Sequence, residues 1–210
     1  MKSSRLPTDF RSPAKEAKYQ QRYGEMLDAA AAVFADKGYH GASTKDIADR
    51  LGIRQGSLYY YFSSKETALE EVCTIGVEGF VQRLTEIMAS PGSHADKVRQ
   101  GIAAHLLPLR DRRDYTLVFL KERRNLPPAS YQRISRLSRQ YEQHWEDLLR
   151  AGIDAGAFRR GLNCRLAVLG MLGMVNGAPE WQRKEPDVSV EAIVEEFVAI
   201  FLDGIRGSVL

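Results

Sequence analysis

The chain has 210 residues, 44% hydrophobic and 27% charged, with 30 Lys/Arg against 27 Asp/Glu and a formal net charge of +3. That length and composition fit a soluble globular protein of one or two domains with a sizeable core. They exclude a membrane span, because the longest apolar run, Ala167 to Val175, falls short of the roughly 18–20 residues a bilayer demands. With no secretory hydrophobic stretch at the N-terminus, a cytoplasmic protein is expected.

The charge is uneven. Residues 1–66 carry 11 Lys/Arg against 8 Asp/Glu, whereas residues 67–210 carry 19 of each. The surplus lies where attraction to phosphate would use it. Residues 1–21 read as a flexible basic arm containing Lys2, Arg5, Arg11, Lys15 and Lys18, with Arg22 directly behind, against only Asp9 and Glu16. Such an arm follows a DNA backbone, enters a minor groove, or is a solvated tail.

Residues 22–66 form the next unit. A long amphipathic helix runs through Met26, Leu27, Ala30, Val33 and Phe34 and closes at Lys37-Gly38. The stretch 43–65 then reads as a helix-turn-helix. Thr44 caps a short helix whose Ile47, Ala48 and Leu51 share one face. Gly52 ends it, and Ile53 anchors the turn. A second helix starts near Gln55 and runs through Tyr61, with Leu58 and Phe62 turned to the core. Gln55, Ser57, Tyr59, Tyr60 and Tyr61 are left outward or at the helix edge. Three consecutive tyrosines are too many to bury, since each hydroxyl needs a partner. Tyrosine, serine and glutamine beside a lysine suit phosphate and base-edge contacts.

Residues 67–210 read as a larger helical domain. A helix from Lys65 to Met88 carries Leu69, Val72, Gly76, Phe80, Leu84 and Ile87 at helical spacing, and Ser90-Pro91-Gly92-Ser93 breaks the chain. A helix over Asp96–Leu109 is joined by the charged stretch Arg110–Asp114 to one over Tyr115–Arg124. Pro128 sits in the first turn of a long helix reaching about Ala155. After a turn at Gly156–Gly161, Asn163 opens an apolar helix to about Gly177. Pro179 to Asp187 reads as irregular, and Val188-Ser189 starts a last helix. The fold class is all-α, about nine helices, with a three-helix DNA-binding domain first.

The last two helices suggest an interface. Val190, Ile193, Val194, Phe197, Val198, Phe201, Leu202 and Ile205 form one apolar stripe. The preceding helix places Gly170, Gly173 and Gly177 near one another, at roughly 1 kcal/mol each relative to alanine, which points to a close backbone approach. The stripe either closes the monomer's own core or joins a two-fold four-helix interface with Leu169, Gly170, Gly173, Phe197, Phe201 and Ile205. A dimer would set two recognition helices about 34 Å apart, matching an inverted repeat in double-stranded DNA.

Catalysis and metal binding find no support. His40, His94, His105 and His144 are scattered, and Cys73 and Cys164 show no CxxC spacing and read as reduced thiols. No phosphate-binding glycine loop or nucleophile elbow is present. Paired carboxylates such as Glu70-Glu71 and Glu195-Glu196 read as solvated helix faces. No enzyme, catalytic residue, metal or cofactor is expected.

The phrases AAAAVFADKGYHGASTKDIADRLGI and SLYYYFSSKETAL resemble the TetR family of transcription factors over roughly residues 22–72. The remainder is similar in length, helical content and terminal-helix character. The resemblance implies phosphate contacts at Thr44, Tyr60 and Lys65 and base-edge contacts at Lys45, Gln55, Ser57 and Tyr59. Arg54 and Tyr61 would be further backbone contacts, and Gly56 either permits close approach or simply starts the helix. The resemblance also implies homodimerisation and a small inducer inside the second domain. Candidate ligand residues are Phe119, Arg123, Tyr141, Trp145, Met171, Met174, Asn176 and Trp181, a set that equally suits ordinary core. Arg110, Arg112, Arg113, Arg123 and Arg124 read as a solvated, ion-paired face or as a site for the phosphates of an acyl-CoA. The segments HWEDLLRAGIDAGAF, GMLGMVNGAPEW and VEAIVEEFVAIFLDGI are similar to regulators of fatty-acid, steroid or other acyl-CoA catabolism. The expected function is a ligand-responsive repressor. An architectural or partner-controlled DNA-binding protein, an activator, and a repressor of a drug-efflux gene are the alternatives.

Overall fold

The computed structural model describes residues 13–182, 184–185 and 187–206, and among these every regular element is helical. Helix α1 (Pro13–Gly41) buries Met26, Leu27, Ala30, Val33 and Phe34 on one face. Gly38, at φ 67°, kinks it where an L side chain would be strained, and the chain turns to bury Tyr39. The first half of the expected arm, residues 1–12, lies outside the described residues, while residues 13–21 are helical.

Helix α2 (Thr44–Arg50) is capped by Ser43, not by Thr44. Ser43 has extended backbone, its Oγ accepts the Asp46 N–H at 3.1 Å, and the Asp46 carboxylate accepts the Ser43 N–H at 2.8 Å. This reciprocal capping box moves Thr44 into the first turn. Gly52, at φ 64°, ends the helix, and the Ile53 N–H returns to the Ala48 carbonyl. Helix α3 (Gln55–Leu58) is one turn long rather than reaching Tyr61. Tyr61 and Phe62 both donate to the Leu58 carbonyl, so Tyr59–Tyr61 continue as a turn. Buried Leu58 and Phe62 pin its two ends, and the Ser64 cap of the next helix leaves no room for another turn.

Helix α4 (Lys65–Ala89) is about 37 Å long at 1.5 Å per residue and serves two cores. Its first half, with Leu69, Val72 and Cys73, packs on α1; its second half, with Phe80 and Leu84, enters the larger domain. Helix α5 (His94–Leu106) is capped by Ser93 and stops two residues before Pro108, which starts the short α6 (Pro108–Asp111). Helix α7 (Arg113–Glu122) ends in a 3-10 turn over Arg123–Asn125, and α8 (Pro128–Asp154) follows.

Helix α9 (Cys164–Gln182) continues through Pro179 where an irregular segment was expected. Pro179 is buried and its carbonyl accepts a hydrogen bond from Arg113 at 3.0 Å, so packing offsets the missing N–H. Helix α10 (Val190–Ile205) is capped by Ser189 and lies against α5 and α9.

Packing does not respect a boundary at residue 66. Tyr115, Val118 and Phe119 of α7, with Leu126 and Ile134, belong to the core of the DNA-binding unit. The second core gathers α4, α5, α8, α9 and α10 around Trp145, which is fully buried. Gly101 is required there, because a Cβ would lie 2.5 Å from the Trp145 ring.

Candidate functional site

The exposed end of the N-terminal unit carries the predicted DNA contacts. Capped α2 presents Thr44, and α3 presents Gln55, Gly56 and Ser57, all exposed except half-buried Thr44. Gln55 Nε2 donates to Thr44 Oγ1 at 2.7 Å, and the Tyr59 hydroxyl lies 3.4 Å from the same oxygen. These three side chains therefore form one preorganised group. The amide of Gln55 keeps one N–H and its oxygen for an adenine edge. Tyr59 and Tyr60 are 50% and 56% exposed, with the Tyr60 ring edge-on to Tyr61 at 5.2 Å. Tyr61 is half-buried, stacked on Tyr19 at 5.5 Å. Lys45 is exposed and paired with Asp49 on its own helix, and Arg54 is exposed at the cap of α3.

Lys65 has a structural role that the sequence does not reveal. Its ammonium donates to the Tyr39 and Ala42 carbonyls at 2.8 and 2.9 Å and sits 4.2 Å from the Tyr39 ring centre. One of its three protons remains for a phosphate. Tyr39 is correspondingly a hub: its hydroxyl donates to Glu66 at 2.6 Å, and its backbone N–H donates to Glu122 of α7 at 3.1 Å. Burial and Glu66 push its phenol up to about 12. The Tyr115 hydroxyl adds a second bridge from α7, to Asp28 of α1, at 2.8 Å.

The ligand candidates separate into two groups. Phe119 lies at this junction between domains, against Gly76, with the Arg123 guanidinium 4.9 Å over its ring. Tyr141, Trp145 and Met171 lie together in the second core, and Asn176 reaches them through His105. His105, which nothing in the sequence singles out, stands between Tyr141 Oη at 3.0 Å and Asn176 Oδ1 at 3.1 Å, with Phe80 stacked at 4.5 Å. Burial lowers its pKa to about 4 despite the Asn176 hydrogen bond, so the imidazole is neutral. Burial likewise raises the Tyr141 phenol, and the Trp145 indole N–H beside it has no completed hydrogen bond. A buried polar group with spare donors inside an apolar core can orient a ligand carbonyl or hydroxyl. Met174 and half-buried Trp181 lie at the edge of this core, Trp181 against Phe197 at 6.2 Å. The arginines do not pair with the acids beside them: Arg110 meets Glu191 at 2.7 Å, Arg113 takes the Pro179 carbonyl, and Arg112 lies over Tyr115.

Two family models cover most of the chain. Residues 26–72 match the model of bacterial regulatory proteins of the tetR family, and residues 91–205 match the tetracyclin repressor-like C-terminal domain. The chain belongs to the TetR family. It is a DNA-binding transcriptional regulator and not an enzyme. Regulators of this family bind operator DNA as dimers and take small-molecule ligands.

Among its relatives, the chain is 27% identical over 185 residues to the HTH-type transcriptional repressor KstR2 of Rhodococcus jostii, covering 88% of this chain and 91% of that one. It is 25% identical over 186 residues to the fatty acid metabolism regulator protein of Bacillus subtilis, covering 88% and 96%. The solved structure of the ketosteroid transcriptional regulator KstR2 of Mycobacterium tuberculosis superposes with a TM-score of 0.83 at 26% identity, over 89% of this chain and 96% of that one.

The predicted interface residues of this TetR-family regulator divide in the same way. Leu169, Gly170 and Gly173 are exposed on α9, with nothing near the glycines, whereas Phe201 and Ile205 are buried in their own subunit's core and Phe197 is half-buried. Leu166 and Ile200, 64% and 54% exposed, extend the apolar face of α9 and α10 around a groove lined by Gly170, Met174 and Gly204. Among the described residues no helix is long and apolar enough to cross a membrane.

Proposed function

We propose that this regulator is a cytoplasmic homodimeric repressor that holds an inverted-repeat operator and leaves it when a lipid-derived ligand, of the acyl-CoA thioester class, enters the second domain. Base edges fall to Lys45, Gln55, Ser57 and Tyr59, with backbone contacts from Thr44, Arg54, Tyr60, Tyr61 and Lys65. The observation that carries the ligand half is the neutral His105–Tyr141–Asn176 group, enclosed by apolar residues of α4, α5, α8 and α9. The core around this group is closed, so a long apolar ligand with one carbonyl would reach it by displacing packed side chains of the second domain. The names of two relatives, a ketosteroid regulator and a fatty acid metabolism regulator, favour the same chemistry. Dimerisation through α9 and α10 would relate the two recognition segments by a two-fold axis.

The test is selection of genomic DNA fragments by the purified protein, footprinting of the tightest one, and titration with acyl-CoA thioesters, free fatty acids and steroids. One protected inverted repeat, released by a thioester, is the expected result. Release by lipophilic drugs alone would replace the ligand class and point to an efflux gene. Enrichment of no sequence would move the protein to the architectural class.

A further inference from the structure

Residues 13–22 of α1 contribute no side chain to either core, and Tyr23 packs on the edge of the first. The buried face of the helix begins only at Met26, and every residue from Pro13 to Lys18 is exposed. This extension is nevertheless docked. The Tyr19 ring stacks on Tyr61 at 5.5 Å and on Tyr23 at 6.1 Å and meets Tyr60 edge-on at 6.2 Å, while Tyr23 packs on Phe62 at 5.6 Å. The tyrosine ladder thus ties the extension to the segment that presents Tyr59 and Tyr60 to DNA.

Beside the ladder lies a row of cations. Lys15, Lys18 and Arg22 follow an i, i+3, i+7 spacing, which sets them on one stripe of a helix, and all three are exposed. The stripe spans about 10 Å, the axial rise of about three nucleotides on one strand. Glu16 is held by Gln20 at 2.8 Å on another side of the helix. Glu25 pairs with Arg22 one turn along, in an exposed contact that a phosphate can displace.

We propose that this extension is a second DNA-contact element. Lys15, Lys18 and Arg22 bind phosphates flanking the half-site read by α3, and the Tyr19–Tyr61 ladder fixes the bearing of the extension against the recognition segment. The occupant is the phosphate backbone of a B-form duplex. Charge complementarity favours it, and so does direct continuity with the DNA-reading unit. The inference rests on operator binding and not on the ligand class.

The experiment measures the salt dependence of operator affinity for the full-length wild type, the Lys15→Ala/Lys18→Ala/Arg22→Ala variant, Tyr19→Ala and Tyr19→Phe, on the fragment the wild type footprints. Each lost phosphate contact lowers the slope of log K against log salt by about 0.9, so the triple variant loses about 5 across the dimer. Its affinity falls on specific and random DNA alike, and its footprint shortens at both flanks while the half-sites stay protected. Tyr19→Ala keeps the three charges yet loses part of the slope, whereas Tyr19→Phe retains it. A triple-variant slope within one unit of wild type overturns the proposal. A full slope for Tyr19→Ala, with a reduced one for the triple variant, overturns the docked geometry and leaves a mobile tail. Thermal melts of each variant separate these outcomes from unfolding.

Discussion

The imidazole of His105 is enclosed by Phe80, Tyr141 and Asn176, and its folded pKa of about 4 lies below the ordinary histidine value near 6.5. The unfolded chain therefore binds this proton first as pH falls. The stabilisation is complete above about pH 6.5 and is lost progressively down to about pH 4, by up to about 3 kcal/mol. Denaturant melts in steps across that window should show the decline, and His105→Gln should flatten it. A packing prediction concerns Gly101, whose Cβ position lies 2.5 Å from a Trp145 ring that is fully buried. Gly101→Ala should cost about 1–3 kcal/mol through overpacking, visible as a lower melting temperature. Neither residue stands out in the sequence, because a lone histidine and a lone glycine acquire their meaning only from residues 36 and 44 positions away.

At the scale of elements, α2 depends on its cap. Lys37 and Ser43 hold the Asp46 carboxyl well below the usual carboxylate range, so the capping box is charged and intact at neutral pH and weakens only in strong acid. Ser43→Ala should destabilise the protein by about 1 kcal/mol and Ser43→Gly by only a few tenths, measured by urea denaturation. The same element shows how sequence reading slips by one position. Thr44 and Ser43 are both good caps, and the choice is made by Asp46 standing three residues after Ser43. Helix α9 shows a different limit. Pro179 reads locally as a stop, but the apolar face around it is buried by α7 and α10, and Arg113 takes its carbonyl.

At the scale of the whole molecule, α7 joins the domains. Tyr115 bonds to Asp28 and Glu122 to the Tyr39 N–H, while Phe119 packs under α4. A ligand that displaced α7 would pull directly on the kink of α1 and on Lys65 behind it. The second whole-molecule feature is the apolar face of α9 and α10. Burying exposed Leu166 and Ile200 between subunits would remove their contact with water. Leu166→Glu/Ile200→Glu should yield monomers by sedimentation velocity, with operator affinity reduced by orders of magnitude and helix content unchanged. Both positions are exposed in the single chain, so the variant leaves the subunit core intact.

The helix-turn-helix, the all-helical class and the closing apolar helix were legible from sequence alone, because they rest on interactions within four residues of one another: caps, breaks and the spacing of apolar side chains. Tertiary structure alone decided that Lys65 braces the end of α1, that Phe119 and Arg123 belong to the domain junction while Tyr141, Trp145 and Asn176 surround His105, and that the helical start of α1 is docked by tyrosines. Those assignments depend on contacts between distant segments, which local periodicity does not encode and which only the folded chain brings within hydrogen-bonding or van der Waals distance.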